Sequence, residues 1–295
     1  MREQMNDHPV NEPRKYPGKV YFVGAGPGAP DLLTLRAARL LARADIVFFD
    51  ALVHADTIAL AVNARKVAVG KRCGQVSTDQ RFINRNLVEA AAKHAVVVRL
   101  KGGDPMVFGR AQEEIDALDS AGIQYEVVPG ITAALAASAQ LGISLTRRGV
   151  ARTLTFATPR IGKEEGATEW ADSIVAADSA VLYMASGQSK AIATGLIAKG
   201  KSAATPVAIV ESATLPAERR TFTTLAALRD GGYETAGGPA ILCVGEVFRA
   251  RDARGIADTV DAANAIESGA TALAAGATDS ERFAEVAQAA LRCSA

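Results

Sequence analysis

The sequence predicts an α/β protein made of two consecutive units, and three observations carry that prediction. Short apolar runs alternate with amphipathic stretches through the first half, the pattern of a mainly parallel sheet covered on both faces. Glycine-rich turns interrupt the chain where those runs end, at GAGPGAP from Gly24, at Gly70-Lys71-Arg72, at Gly102-Gly103-Asp104-Pro105 and at Pro129-Gly130. The alternation then restarts after a small-residue segment and a basic loop, Thr146-Arg147-Arg148-Gly149. A length of 295 residues fits two domains. We divide the chain into a disordered N-terminal tail (1–17), an N-terminal α/β domain (18–145), a C-terminal α/β domain (146–250) and an Ala-rich tail (251–295).

In the first unit, strands are expected at Lys19 to Val23, Ile46 to Phe49, Val67 to Val69, Val96 to Leu100 and Tyr125 to Val128. Helices are expected at Leu32 to Ala42, where Leu33, Ala37, Leu40 and Leu41 recur at helical spacing, at Asp79 to Lys93, at Gln112 to Ala121 and at Thr132 to Leu141. In the second unit the strands fall at Thr153 to Ala157, Ala180 to Met184, Val207 to Glu211, Arg220 to Thr223 and Ala240 to Val244. Helices lie between, at Glu169 to Ala176, Lys190 to Lys199 and Leu225 to Arg229. Polar alternation near Arg219 to Thr224 predicts a mixed sheet there. A last helix, about Asp279 to Leu291, follows a capping box of Thr278 and Glu281.

Composition narrows the function. Hydrophobic residues make up 49% and charged residues 22%, with a net charge of +1, so no global basic field points to nucleic acid. No apolar run reaches the span of a membrane, and residues 1–17 mix both charge signs with prolines. The expectation is therefore a cytoplasmic protein. Cys73, Cys243 and Cys293 are scattered, as are His8, His54 and His94, which predicts neither disulfides nor a metal site.

The strand-end loops hold the candidate chemistry, because ligands of open α/β sheets bind beyond the carboxyl ends of strands. Gly102 and Gly103 let a backbone approach a ligand, and Asp104 offers a carboxylate at the tip. Asp50 ends a strand after Phe48 and Phe49 on the same edge, where a carboxylate beside apolar rings can serve as a base. Lys71 and Arg72 end the next strand, and with Arg110, Arg147 and Arg148 they suggest a polyanionic ligand. Gly24, Gly26 and Ala29 fit the dinucleotide fingerprint, with Asp45 or Asp50 near the distance of a ribose-binding acid, so an NAD(P)-dependent oxidoreductase is a rival reading. Pro27 and Pro30 speak against it, since they remove N–H donors from the turn that should face a pyrophosphate.

The motifs GAGPGAPDLLTL, FDALV, GKRCG, VVRLKGGDPMVFGR, EVVPGITAA, LYMA and TPVAIVESAT occur in that order. Over about Lys19 to Arg249 the chain resembles the uroporphyrinogen-III C-methyltransferase family of the tetrapyrrole methylase superfamily. The resemblance implies two α/β domains with S-adenosylmethionine in the cleft between them, in a homodimer, with no metal. It implies that Pro27, Gly102, Gly103, Asp104 and Val107 touch the methyl donor, together with Thr132, Ala133, Met184, Ala213 and Ala240. It makes Asp50 the proton acceptor and Lys71 a proton donor, and gives Arg110, Arg147 and Arg148 to the substrate carboxylates. The implied reaction is two successive methylations of uroporphyrinogen III, on rings A and B, giving precorrin-2 for sirohaem or cobalamin; a methylase of a later precorrin is the alternative. Ala29, Ala185, Ala213 and Thr158-Pro159-Arg160 depart from the usual pattern of that family. With no dehydrogenase or chelatase domain ahead of the methylase, the later steps of sirohaem synthesis are not expected.

Overall fold

A computed structural model describes residues 16–70, 80–161 and 169–249. Lys71, Arg72, Cys73, the Ala-rich tail and its expected helix lie outside the described residues. Strands β1 (Lys19–Gly24), β2 (Ile46–Phe49), β3 (Arg65–Ala68), β4 (Val96–Lys101) and β5 (Tyr125–Val128) form one wholly parallel sheet in the order β3-β2-β4-β1-β5. The apolar runs of β1 and β4 are covered on both sides, as parallel strands require. On one face lies α1 (Leu35–Arg43), whose Ala37, Leu40 and Leu41 meet Val23, Val47 and Val98. On the other lie α3 (Gln80–Ala91) and α4 (Ala111–Ala121), whose Ile83, Leu87, Ile115 and Leu118 meet Val20, Phe22 and Phe48. The helices that follow β1 and β4 thus leave toward opposite faces. The crevice between those strand ends is the topological switch point, where α/β sheets bind ligands.

The helix expected from Leu32 is set back. Pro30 opens a single 3-10 turn, Pro30–Leu32, and α1 starts only after Thr34, whose hydroxyl accepts from the Ala37 N–H at 3.1 Å. A five-residue helix, α2 (Ala55–Ala59), was not expected; its one short turn leaves too little periodicity to read.

The second sheet contains β6 (Leu154–Ala157), β7 (Ser179–Leu182), β8 (Pro206–Glu211), β9 (Arg219–Thr224) and β10 (Ala240–Gly245), in the order β6-β7-β10-β8-β9. It is mixed: β6 and β7 are parallel, and the other pairs are antiparallel. Alternate residues of β8 face opposite cores. Val207 and Ile209 pack under α6 (Trp170–Ala176), α7 (Ser189–Ala198) and α8 (Leu225–Gly231), while Ala208 and Val210 pack under α5 (Ala133–Leu141). Helix α5 precedes the basic loop in sequence, yet its Ala134, Ala136, Ala137 and Leu141 bury against the second sheet. The chain therefore crosses between the sheets at Pro129–Thr132, ahead of the expected boundary near residue 145.

Candidate active site

Three loops meet at the switch point. Gly26, after β1, pairs with Gly103, after β4, through two backbone hydrogen bonds: the Gly103 N–H donates to the Gly26 carbonyl at 2.7 Å and the Gly26 N–H to the Gly103 carbonyl at 3.2 Å. Gly130, after β5, packs so closely that a Cβ on it would collide with the Gly103 carbonyl and the Gly24 backbone. Gly103 has φ +68, open to glycine at no steric cost. Several amides of this glycine loop are spent within the protein. Ala25 and Gly26 donate to the Lys101 and Gly103 carbonyls, and the Ala29 N–H goes to the Thr214 hydroxyl at 3.1 Å. A dinucleotide fingerprint would aim such amides at a pyrophosphate, and Pro27 and Pro30 have none to offer. Asp45 does not take the ribose position either: it stands at the start of β2, where its Oδ2 accepts from the Val96 N–H at 2.8 Å.

The Asp104 carboxylate ties two loops at the tip, accepting from the Met106 N–H at 2.8 Å and from the Gly130 N–H at 2.9 Å. Asp50 leaves β2 on the same edge as the glycine loops, and it has a cation for a partner: the Arg99 Nη2 donates to Asp50 Oδ1 at 2.6 Å. Arg99 is almost wholly buried in β4 and forks onto Glu114 of α4, at 3.0 and 3.2 Å. Lys101 and Gln80 donate to the same Glu114 carboxylate at 3.1 and 3.0 Å. Burial works against the charge of Arg99, but Asp50 and Glu114 outweigh it and raise its pKa. Lys101 is lowered, by burial first and then by the like charge of Arg99. Sequence reading missed this network, although its signal was present: two cations inside an otherwise apolar strand, and paired glutamates at the start of the next helix.

The opposite wall comes from the second sheet. Tyr183, after β7, shares a hydrogen bond with the Thr132 hydroxyl at 2.7 Å and accepts from the Ala134 N–H at 3.2 Å, which fixes the first turn of α5. The Phe108 ring tilts against it at 4.9 Å, joining the β4 loop to the β7 loop. Val107, Ala133 and Ala213 pack in the same cluster as Tyr183. Gly28 lies against the Leu215 side chain. So the loops after β1 and β4 meet the loops after β7 and β8, with Gly28, Gly103, Val107, Thr132, Ala133 and Ala213 at the junction. Met184 stands at the rim, 43% exposed, with its sulfur 3.9 Å from Arg160. Ala240 begins β10 on this edge, but its side chain packs in the core under α6–α8.

Of the expected basic residues, Arg110 is exposed and pairs with Glu113 at 2.7 Å, while Arg147 and Arg148 are exposed in a turn closed by the Arg147–Ala151 bridge. Among the described residues, five non-glycines have positive φ, namely Phe108, Arg110, Met184, Ser212 and Thr214, and all lie in loops after β4, β7 and β8. Strain of this kind collects at functional sites.

Two α/β layers with facing strand-end loops and a glycine-built crevice define a class of cleft protein distinct from the Rossmann enzymes. The chain belongs to the tetrapyrrole methylases: residues 19–229 match the family described as Tetrapyrrole (Corrin/Porphyrin) Methylases. It is 44% identical over 237 residues to a siroheme synthase of Azotobacter vinelandii, covering 80% of this chain and 51% of that protein. It is 44% identical over 233 residues to a uroporphyrinogen-III C-methyltransferase of Pseudomonas aeruginosa, covering 79% of this chain and 95% of that protein. The chain thus spans about half the length of the siroheme synthases it matches and nearly all of the shorter enzyme. Among solved structures, uroporphyrin-III C-methyl transferase from Thermus thermophilus, complexed with S-adenyl homocysteine, superposes with a TM-score of 0.71 at 40% identity, covering 79% of this chain and 99% of the other. A cobalt precorrin-4 methyltransferase is similar at TM-score 0.68 and 28% identity.

Proposed function

We propose that the chain is a uroporphyrinogen-III C-methyltransferase, transferring methyl groups from S-adenosylmethionine to rings A and B of uroporphyrinogen III to give precorrin-2. The observation that carries this reading is the chemistry of the strand-end loops. Leu52, Met106, Phe108, Ile161 and Met184 are exposed on loops that leave β2, β4, β6 and β7, and Arg110, Arg147 and Arg148 are exposed with them. Exposed apolar loop tips and exposed guanidiniums together suit a macrocycle edged with carboxylates. The identity to the P. aeruginosa enzyme across 95% of its length supports the same reading.

The cleft also fits the methyl donor. Ala213 adds only a methyl group to its wall, Gly103 none, and Val107 and Met184 offer apolar contact to an adenine or a sulfonium. When bound, the donor supplies an electrophilic methyl group. The protein's task is then to hold a nucleophilic ring carbon in line with it, a matter of positioning. Pro27, Gly102, Gly103, Asp104, Val107, Thr132, Ala133, Met184, Ala213 and Ala240 are assigned to the donor, Ala240 through its backbone. Asp50 takes the proton that must leave the macrocycle, with Arg99 fixing its carboxylate. Lys71 is assigned as the proton donor, and the three arginines hold substrate carboxylates. An NAD(P)-dependent oxidoreductase is disfavoured by Pro27 and Pro30 and by the committed Ala25, Gly26 and Ala29 amides of that loop. A cytoplasmic homodimer completes the reading; sedimentation of the purified chain tests the dimer.

Incubation with uroporphyrinogen III and S-adenosylmethionine, read by mass, should give a product carrying two added methyl groups. A single methylation, or transfer only to a later precorrin, contradicts the assignment. Asp50→Asn keeps the shape but cannot accept the proton, so turnover should fall by about 10² to 10⁴. S-adenosylhomocysteine affinity should stay within roughly threefold of the unaltered chain. Near-normal turnover removes Asp50 from the chemistry.

A further inference from the structure

We propose that Glu211 is a positioning residue for the methyl donor, a buried clamp that holds the Tyr233–Gly238 loop against the Ser212–Thr214 turn. The inference rests on the donor reading above and extends it to a residue with no assigned role.

Glu211 is the last residue of β8, and its side chain is 1% exposed. Both carboxylate oxygens are filled from one stretch of chain. Oε1 accepts from the Thr235 hydroxyl at 2.5 Å and the Gly238 N–H at 2.8 Å. Oε2 accepts from the Tyr233 hydroxyl at 2.8 Å and the Ala236 N–H at 3.1 Å. Arg219, on the neighbouring strand, lies 3.6 Å from Oε2. The stretch 233–238 has no helix or strand of its own, and most of it is exposed. Tyr233 is also held by the Ser189 hydroxyl and by packing on the core under α6–α8; the rest of the stretch is tied to the sheet through that one carboxylate.

What the clamp fixes is a corner of the cleft. Ala240 pairs directly with Glu211 in the sheet, and the Ser212 N–H donates to the Pro239 carbonyl at 2.8 Å. Gly238 sits so near that a Cβ on it would collide with the Ser212 hydroxyl. Ser212 and Thr214, at φ +53 and +69, are strained conformations that surrounding contacts must hold. Beyond them, Thr214 accepts from Ala29, and Leu215 packs on Gly28. The clamp thus sets the spacing of Ala213, Ala240 and the first glycine loop at once. Burial works to raise the pKa of Glu211, but the donors from Thr235, Ala236, Tyr233 and Gly238 outweigh it and bring it down to about 2. The carboxylate that the loop needs is therefore ionised at any working pH.

Glu211→Gln tests the role, because an amide nitrogen cannot accept from Ala236. The full chain is titrated with S-adenosylhomocysteine by calorimetry. Affinity should fall by about tenfold, the scale of one lost charge-assisted hydrogen bond. In steady state the KM for S-adenosylmethionine should rise, with kcat and the KM for the tetrapyrrole moving far less. A merely structural residue would lower the melting temperature and leave that split unchanged. If Glu211→Gln does not fold, Tyr233→Phe removes a single donor and should weaken binding in the same direction. Unchanged affinity in a folded variant overturns the proposal. No binding by the unaltered chain overturns the donor reading itself, and this inference with it.

Discussion

Two buried carboxylates, Glu114 and Glu211, do most to hold the cleft in shape, and they do so differently. Glu114 balances two cations: with Asp50 it makes the cluster of Arg99 and Lys101 neutral overall. Removing it leaves buried positive charge uncompensated, so Glu114→Ala should cost about 3–5 kcal/mol, read as a lowered denaturation midpoint. A loss below about 1 kcal/mol would place the cluster among weak surface pairs. Glu211 instead neutralises backbone and hydroxyl donors. Its carboxyl falls from an ordinary 4.5 to about 2. A depressed folded value adds stability that is present in full above the unfolded pKa and lost as pH falls through the folded one. Acid titration should therefore erode about 3 kcal/mol between pH 4.5 and pH 2, and Glu211→Gln should flatten that limb. Cys243 stays out of such chemistry, because burial pushes its thiol up to about 12. Neither carboxylate was singled out from the sequence. For Glu114 the cue was two cations in an apolar strand; for Glu211 a partner such as Thr235, 24 residues away, leaves no spacing to read.

At the scale of elements, the strands were the legible part. Ile46–Phe49 and Tyr125–Val128 occupy the residues their apolar runs predict, because both faces of a parallel sheet must be apolar. The loops were legible in place but not in purpose. Gly24 and Gly103 read as ligand-facing glycines and Gly130 as a strand end, and the structure uses all three first to let three backbones touch. Gly130→Ala should show this: its Cβ would drive into the Gly103 carbonyl, costing about 1–3 kcal/mol in thermal or chemical unfolding. Unchanged stability would mean that the three loops are less closely joined than the structure has them. Helix α5 was misplaced for a related reason. Its alanines suit burial against any neighbour, so its sequence carries no sign of which sheet it will cover.

Across the whole molecule, the crossing at Pro129–Thr132 is bound at both ends. Asp104 holds the Gly130 amide to the first sheet's loops, and Tyr183 holds Thr132 to the second sheet. Ala29 and Thr214 add a second tie between the layers, 185 residues apart in sequence. A connection pinned on either side is a weld rather than a hinge. The two layers should keep one relative orientation when a ligand binds, with side chains and loop tips such as Met106, Phe108 and Met184 making the adjustment. Small-angle scattering should then give the same profile with and without S-adenosylhomocysteine, whereas a contraction on binding would mean the layers swing. A ligand that reaches the loops between these layers meets walls already set, so the protein supplies its shape in advance instead of closing around what it binds.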